Sequence, residues 1–516
     1  MVVALDAWAS FAAAGALAHL LYLACIATYR LLFHPLAGFP GPKYAALSRW
    51  HECYFDVYQQ GKFIFWIEKQ HEKYGPIIRI TPDELHILDA DFWETLFTKA
   101  GRVDKYSWMA SRFGNETSVL TTAGHDLHRV RRNALNPYFS RQRILGLQAT
   151  IQQKLSIFLE QIRGSAKTGT SITISHGFMA FSEDVIMNYC FGYDYDSLRK
   201  PGWIPILHDA FAAVTLTGNM ALQFPLIPKI MNVLPQAWVG KLNPLYALMF
   251  RMQNDFGQEI RDMKAALSTA NHGKGASNDN TTVITELLQS GLPNEQKADR
   301  RIQDEVQLIV GAGLSTTGWA LSVGTYYLIT NPQVLARLRK ELDDAIPACI
   351  SLQWAELEKL PYLTAVIKEA VRLSYSTTSR NVRLLPNPVK FGEWVIPART
   401  PISMSIPFLN HDEKIFPQSK SFVPERWLDA PRTENGTSLD RYFLGFGKGT
   451  RSCLGVNLAW CELYLVFASV FHYFDFELYE TDLTDVELSH DFFLPFPKLD
   501  SKGVRVRVKE RDIFSV

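Results

Sequence analysis

Near the C-terminus the chain reads Phe446-Gly447-Lys448-Gly449-Thr450-Arg451-Ser452-Cys453-Leu454-Gly455, followed by an apolar run over residues 456–470 that the pattern predicts as a helix. A thiolate at a helix start is stabilised by the positive end of the helix dipole and by unpaired backbone N–H groups. Glycines at this density let the backbone turn into conformations closed to other residues and lie close against a flat group. A phosphate cradle is excluded, because it needs Gly-Lys followed by Ser or Thr and Gly449 stands there. A cysteine beside an apolar helix is more often a small buried hydrophobe than a ligand, so the sulfur needs partners elsewhere in the chain.

Three other clusters could supply them. Glu369 and Arg372 fall on one face of an amphipathic stretch, where a pair at i and i+3 forms a single ion pair; alone such a pair means little. His128-Arg129-Val130-Arg131-Arg132 opens a predicted helix, and a charge run of this kind is commonly a solvated face. Gly311-Ala312-Gly313-Leu314-Ser315-Thr316-Thr317-Gly318 lies in a long apolar segment. A dinucleotide-binding turn would need its third glycine elsewhere and an acid about twenty residues on, and no Asp or Glu occurs between Glu305 and Glu341. A long helix is the expectation.

The elements around these clusters are mainly helical. Helices are predicted over residues 63–74, over most of 142–264 with breaks at 164–170 and 225–235, and over 299–330, 332–345 and 363–373. Short strands are expected at 77–80 and 85–88, in a hairpin, and within 389–404. Residues 268–280 read as a polar surface loop. The 516 residues are 47% hydrophobic, enough for a large core, and 53 basic against 52 acidic residues leave a net charge of +1. That balance gives no overall attraction to nucleic acid. Six scattered cysteines without a C-x-x-C pair suit a reducing compartment and exclude a disulfide framework or zinc site.

Residues 7–29 are apolar for long enough to cross a bilayer, with Trp8 and Tyr29 placed for its two interfaces. Arg30, Lys43 and Arg49 follow, so the positive-inside rule leaves the bulk of the chain in the cytosol. A cleaved signal peptide would need a basic leader and a shorter apolar run. The expected organisation is an anchor at 1–29, a stiff Pro-rich hinge at 30–42, and one large domain over 43–516. The triplets at Asn115, Asn280 and Asn435 fit the glycosylation pattern but would not meet that machinery in the cytosol.

The cysteine loop resembles the haem-ligating signature of the cytochrome P450 family, Phe-x-x-Gly-x-Arg-x-Cys-x-Gly, at all five fixed positions, and the likeness extends from residue 39 to the C-terminus. It implies a mainly α fold with a small β-sheet region behind an N-terminal transmembrane helix. By the same resemblance Cys453 is the axial ligand of haem b and Phe446, Gly449 and Gly455 surround it. Arg451, Arg132, His128 and Arg383 contact the propionates. Glu369, Arg372 and Arg426 form the family's buried cluster behind the loop. The long helix resembles the oxygen-binding helix, with Gly313 as a notch for dioxygen and Thr316 and Thr317 at the threonine pair. Ser315 stands where the family has an acid; a hydroxyl orders water but supplies no proton at neutral pH. Asp304 and Glu305 lie too far along the helix to substitute.

Positional analogy adds Trp108, Phe113, Leu308, Ala312, Thr377, Thr378 and Phe493 as substrate-facing residues, and leaves Arg129, Arg131 and Lys448 as a basic patch for an electron donor. The implied activity is a monooxygenase of the endoplasmic reticulum membrane, its single-pass anchor in lipid and its catalytic domain in the cytosol. It would take electrons from NADPH through NADPH-cytochrome P450 reductase and oxidise an apolar small molecule. Segments such as HEKYGPIIRITPDELHI and HRVRRNALNPYFS are similar to fungal secondary-metabolite members, notably the trichodiene oxygenase group, which points to a terpenoid or polyketide substrate. An isomerase or dehydratase that does not activate oxygen, and a non-catalytic haem-binding protein, are the alternatives.

Overall fold

The computed structural model describes residues 2–98, 101–242, 244–270, 282–346 and 352–512. Its principal helices are α1 (Val2–Thr28), α2 (Phe63–Tyr74), α3 (His125–Leu135), α4 (Arg141–Thr168), α5 (Ile174–Phe191), α6 (His208–Gln223), α7 (Pro244–Ala270), α8 (Asp299–Thr330), α9 (Pro332–Ala345), α10 (Pro361–Leu373) and α11 (Val456–Tyr473). A five-stranded sheet is built from β1 (Ile77–Arg79), β2 (Leu85–Ile87), β3 (Asp104–Lys105), β4 (Arg383–Leu384) and β5 (Pro401–Ser403), in the order β1-β2-β5-β4-β3. Smaller sheets pair Arg505–Glu510 with Ile172–Thr173 and Phe474–Leu478, His490–Phe492 with Leu494–Phe496, and Val389–Phe391 with Trp394–Ile396.

The core is organised around α8. Glycines on this helix let its neighbours close in: a Cβ at Gly313 would stand 2.9 Å from Ile186, and one at Gly318 would stand 2.8 Å from Met179, both on α5. Gly313 also borders the central cavity, so its missing side chain makes room for α5 without removing it from its expected place as a notch. α9 and α10 each begin on a proline, whose fixed φ and absent N–H suit a first helical turn. α4 is capped by Ser140, which accepts a hydrogen bond from the Arg143 N–H, and it runs unbroken through Gly164. An interior glycine costs only about 1 kcal/mol, so the break comes at Gly169, where φ is +68°. α3 begins at His125, three residues before the expected start. Most of the loop expected at 268–280 lies outside the described residues; its first residues end α7.

The apolar N-terminal segment forms α1 and one wider turn, Tyr29–Phe33. Residues Ser10–Phe33 are long and apolar enough to cross a membrane and none of them is packed inside the protein. α8 meets the same length and hydropathy test but is mostly buried, so it is a core helix. The Pro-rich stretch beyond α1 is not a free connector. Leu36 and Phe39 are buried, Phe39 stacks on Trp394, and the Arg79 N–H donates to Pro40 O at 2.7 Å. Apolar burial docks this stretch on the five-stranded sheet.

Candidate active site

The cysteine loop closes on itself through a hydrogen bond from the Cys453 N–H to Phe446 O at 2.8 Å. Gly447 and Gly449 both take positive φ, +63° and +75°. At Gly449 a Cβ would fall 2.1 Å from Phe97 O, so the position accepts glycine alone. It packs against the Phe97 backbone rather than bordering the cavity, which corrects its expected place beside a cofactor. Behind the loop, α11 starts at Val456 with Gly455 at its cap.

The Cys453 side chain opens into a cavity of about 360 Å³. Surrounding protein pushes its thiol pKa up, against a hydrogen bond from the Gly455 N–H and the Arg132 charge, which pull it down. Phe446, Gly455, Arg132, His128, Arg383 and Arg451 border the same cavity. So do Ser315, Thr316, Thr317, Leu308 and Ala312 of α8, together with Phe113, Thr377 and Phe493. Residues drawn from more than 300 positions of sequence thus meet in one space.

Two expected pocket residues do not reach it. Trp108 lies under the Arg49 guanidinium, 4.3 Å from its ring centre. Thr378 is fully buried and donates to Asp491 Oδ1 at 2.8 Å, while its N–H donates to Phe493 O at 2.9 Å. It supports the hairpin that presents Phe493. That residue has φ +78° at the hairpin tip and meets the Phe113 ring edge-on at 4.8 Å. A bulky residue held in this region costs about 1–3 kcal/mol, and such strain is found where a side chain must be aimed.

The basic groups at the sulfur end are held close together. Lys105 and Arg383 are directly opposite one another on β3 and β4. Like charges in that relation are destabilising. Among the described residues neither they nor Arg132 or Arg451 form an ion pair, and the Arg451 Nε is buried with no partner. Burial lowers Arg383 to about 9, with Arg451 adding to the effect, and lowers Arg451 to about 10 against the pull of Asp104. Burial and Arg451 push His128 down to about 2, so its imidazole is neutral. Lys105 is depressed by burial and by the same two arginines. A dianionic edge entering here would relieve all of them, and the thiol, the cations and the apolar walls together fit haem b. Lys105 was missed in the sequence because β3 is two residues long and shows no period.

These cations also bond the backbone: Lys105 donates to Leu120 O and Arg383 to Val382 O, and two arginines tie the loop. Arg451 donates to Thr122 O and Ala123 O at 2.6 and 2.7 Å, tying the cysteine loop to the start of α3. Arg132 donates to Ser452 O, Cys453 O and Asn136 Oδ1, so besides bordering the cavity it clamps the loop. Arg131 is buried and bonded to Thr122 Oγ1 and Gln296 Oε1, which removes it from the expected basic patch. Arg129 is exposed, and Lys448 is half-buried and donates to Arg441 O.

Behind the loop, Glu369 holds Arg372 in a two-pronged pair at 2.7 and 2.9 Å and accepts from Arg426 at 3.1 Å. The Val423 N–H and Trp427 Nε1 complete its coordination. Burial would raise the carboxyl pKa, but these partners hold it below the ordinary value. On α8, the Thr316 hydroxyl donates to Ala312 O at 2.8 Å. Asp304 and Glu305 are buried and committed to the loop before α3: Asp304 accepts from Thr117 N and Oγ1, and Glu305 from Val119 N.

The family model for Cytochrome P450 matches residues 48–501. The chain belongs to this family. It is 42% identical to cytochrome P450 monooxygenase sdnE of Sordaria araneosa, covering 96% of this chain and 97% of that one. It is 39% identical to tryptophan 6-hydroxylase fscE of Fusarium equiseti, covering 94% of each. With N-acetyltryptophan 6-hydroxylase ivoC of Emericella nidulans it shares 38% over 95% of this chain and 96% of the relative. As a P450 the protein is a monooxygenase that binds haem b through a cysteine thiolate. It takes NADPH-derived electrons from a reductase and acts on a small molecule.

Proposed function

We propose that this P450 is an anchored monooxygenase that hydroxylates or otherwise oxidises an apolar small molecule, a terpenoid or polyketide intermediate of fungal secondary metabolism. The observation that carries the catalytic reading is that the Cys453 thiol, the α8 threonines and a cluster of cations border a single cavity. Bound haem b would supply oxygen activation, and the Cys453 thiolate would hold its iron as a strongly electron-donating ligand. The protein supplies binding, orientation and proton control.

Lys105, Arg383, Arg451 and Arg132 would hold the propionates, with neutral His128 as a further donor, and Arg132 also fixes the loop that aims the sulfur. Phe446 and Gly455 flank that sulfur. Glu369, Arg372 and Arg426 brace the scaffold behind it. Thr316 moves protons at its Oγ1, whose hydrogen rests on Ala312 O until a stronger acceptor arrives. Ser315 borders the same space and orders water there. Thr317 is buried deeper and supports the pair. The apolar part of the substrate lies among Phe113, Leu308, Ala312 and Phe493.

A second substrate reading has specific support: two relatives are named for hydroxylating tryptophan or its N-acetyl derivative. An indole body fits the same aromatic wall. The exposed apolar helix supports a membrane anchor; the reading assigns it to the endoplasmic reticulum, with the catalytic domain and its docked 34–42 segment on the cytosolic side and NADPH-cytochrome P450 reductase as donor. Oxygen uptake dependent on NADPH and reductase, rising when substrate is added, tests the reading. An isomerase, which Ser315 would suit equally, turns over without NADPH.

A further inference from the structure

Three side-chain amides border the cavity, and the fold treats them differently. Asn381 donates its Nδ2 hydrogen to Ser379 O at 3.4 Å. Gln307 of α8 is spent within the protein: its Oε1 accepts from Gln253 Nε2 at 2.9 Å and its Nε2 donates to Phe113 O at 3.1 Å. Asn115, on the loop wall beside Phe113, is only 2% exposed, yet its Oδ1 is buried with no hydrogen-bond partner. No bond to either end of that amide is found among the described residues. A buried, unmade hydrogen bond costs about 1–3 kcal/mol, so a group left this way needs a partner from outside the chain.

The loop cannot turn to help it. Asn115 O already accepts from the Ser118 N–H and from Thr121 Oγ1 at 2.7 Å. Two residues on, Thr117 is fastened to Asp304 by its backbone and its hydroxyl. Rotation about χ2 exchanges the oxygen and nitrogen of Asn115, so the amide can present an acceptor or a donor to the cavity. A ligand group seated against the amide can supply both kinds of bond.

We infer that Asn115 reads a polar group on the substrate, and that this group is neutral and offers a hydrogen-bond acceptor and donor together, as a carboxamide or lactam does. The inference rests on the monooxygenase reading and narrows its substrate: an apolar body against Phe113, Phe493 and Leu308, with one such head group at Asn115. A site that hydrogen-bonds its substrate discriminates against an analogue lacking the group far more strongly than an apolar pocket discriminates by shape.

The test compares two probes of one shape, 2-naphthamide and 2-isopropylnaphthalene, binding to the full-length ferric holoprotein. Binding is read by the Soret shift and, independently, by equilibrium dialysis. In Asn115→Leu the ratio of the two dissociation constants should move at least tenfold toward the hydrocarbon. Asn115→Ala, which adds no branch, repeats the comparison if the leucine variant folds poorly. Both variants without ligand should melt no lower than about the wild-type temperature, because the amide holds nothing in the fold. An unchanged ratio, no measurable binding of 2-naphthamide by the wild type, or a large loss of stability in both variants overturns the inference. A wild type that keeps its thiolate-type carbon monoxide band while the ratio stays fixed loses this inference alone; absence of that band removes the monooxygenase reading itself.

Discussion

The sulfur end of the cavity and its loop wall are assembled by opposite means. Around Cys453, ten consecutive residues set the backbone, with two positive-φ glycines and a closing bond from Cys453 N to Phe446 O. The wall at residues 113–120 has local bonds to Asn115 O, but none of these fixes it against α8. It is held by Thr117 and Val119 reaching acids on that helix, 187 and 186 residues away in sequence. Local closure fixes a geometry whatever the rest of the pocket does. Long-range closure lets the wall change with the residues on it, and this wall carries Phe113 and Asn115. Chemistry therefore sits on the locally determined end and substrate choice on the end determined at a distance.

The largest break comes at the sulfur. Cys453→Ser should lose entirely the red-shifted Soret band of the reduced carbon monoxide complex, since an alcohol is a far weaker donor than a thiolate. A band that survives would move the ligand elsewhere. Next in size, Arg372→Ala leaves Glu369 buried with half its charge partners, a loss on the order of 3–5 kcal/mol. Holoprotein yield should collapse, and a normal yield would show the scaffold behind the loop to be dispensable.

Thr316→Ala leaves both ends in place and removes the hydroxyl between them. NADPH consumption should continue while product per NADPH falls several-fold and hydrogen peroxide rises. Unchanged coupling would place the proton route away from α8. On the loop wall, Asp304→Ala strips the acceptor from Thr117, about 1–3 kcal/mol of local support. Hydrogen exchange at residues 117–122 should quicken while the carbon monoxide band stays in position; a lost band would mean that the two ends are not separable.

The smallest effect concerns Glu462, which borders the cavity from α11 and accepts from Ser182 Oγ at 3.1 Å. Burial raises its pKa from 4.5 to about 8, against the Ser182 bond. The native state then holds a proton that the unfolded chain releases, so between these values stability falls as pH rises. Denaturant titrations from pH 5 to 8 should show that slope, and Glu462→Gln should flatten it. An equal slope in both would assign the titration to another group.

Much of this was legible in the sequence. The strand pair at Ile77–Arg79 and Leu85–Ile87 and the helices at Phe63–Tyr74, Asp299–Thr330 and Pro332–Ala345 follow from local periods and capping residues, which act within a few positions. The cysteine loop was readable for the same reason, because glycine conformations and a helix start are local demands. The sequence could not say that Gly313 packs on Ile186, that Arg132 clamps the loop, or that Arg131 is buried. Each depends on which side of a helix meets which neighbour, and a 3.6-residue period gives the face without naming what covers it. Lys105 faces Arg383 through a register that joins strands nearly 280 residues apart, and Asn115 Oδ1 is buried without a partner among the described residues. An unsatisfied group is a property of the finished packing, and tertiary structure alone decides it.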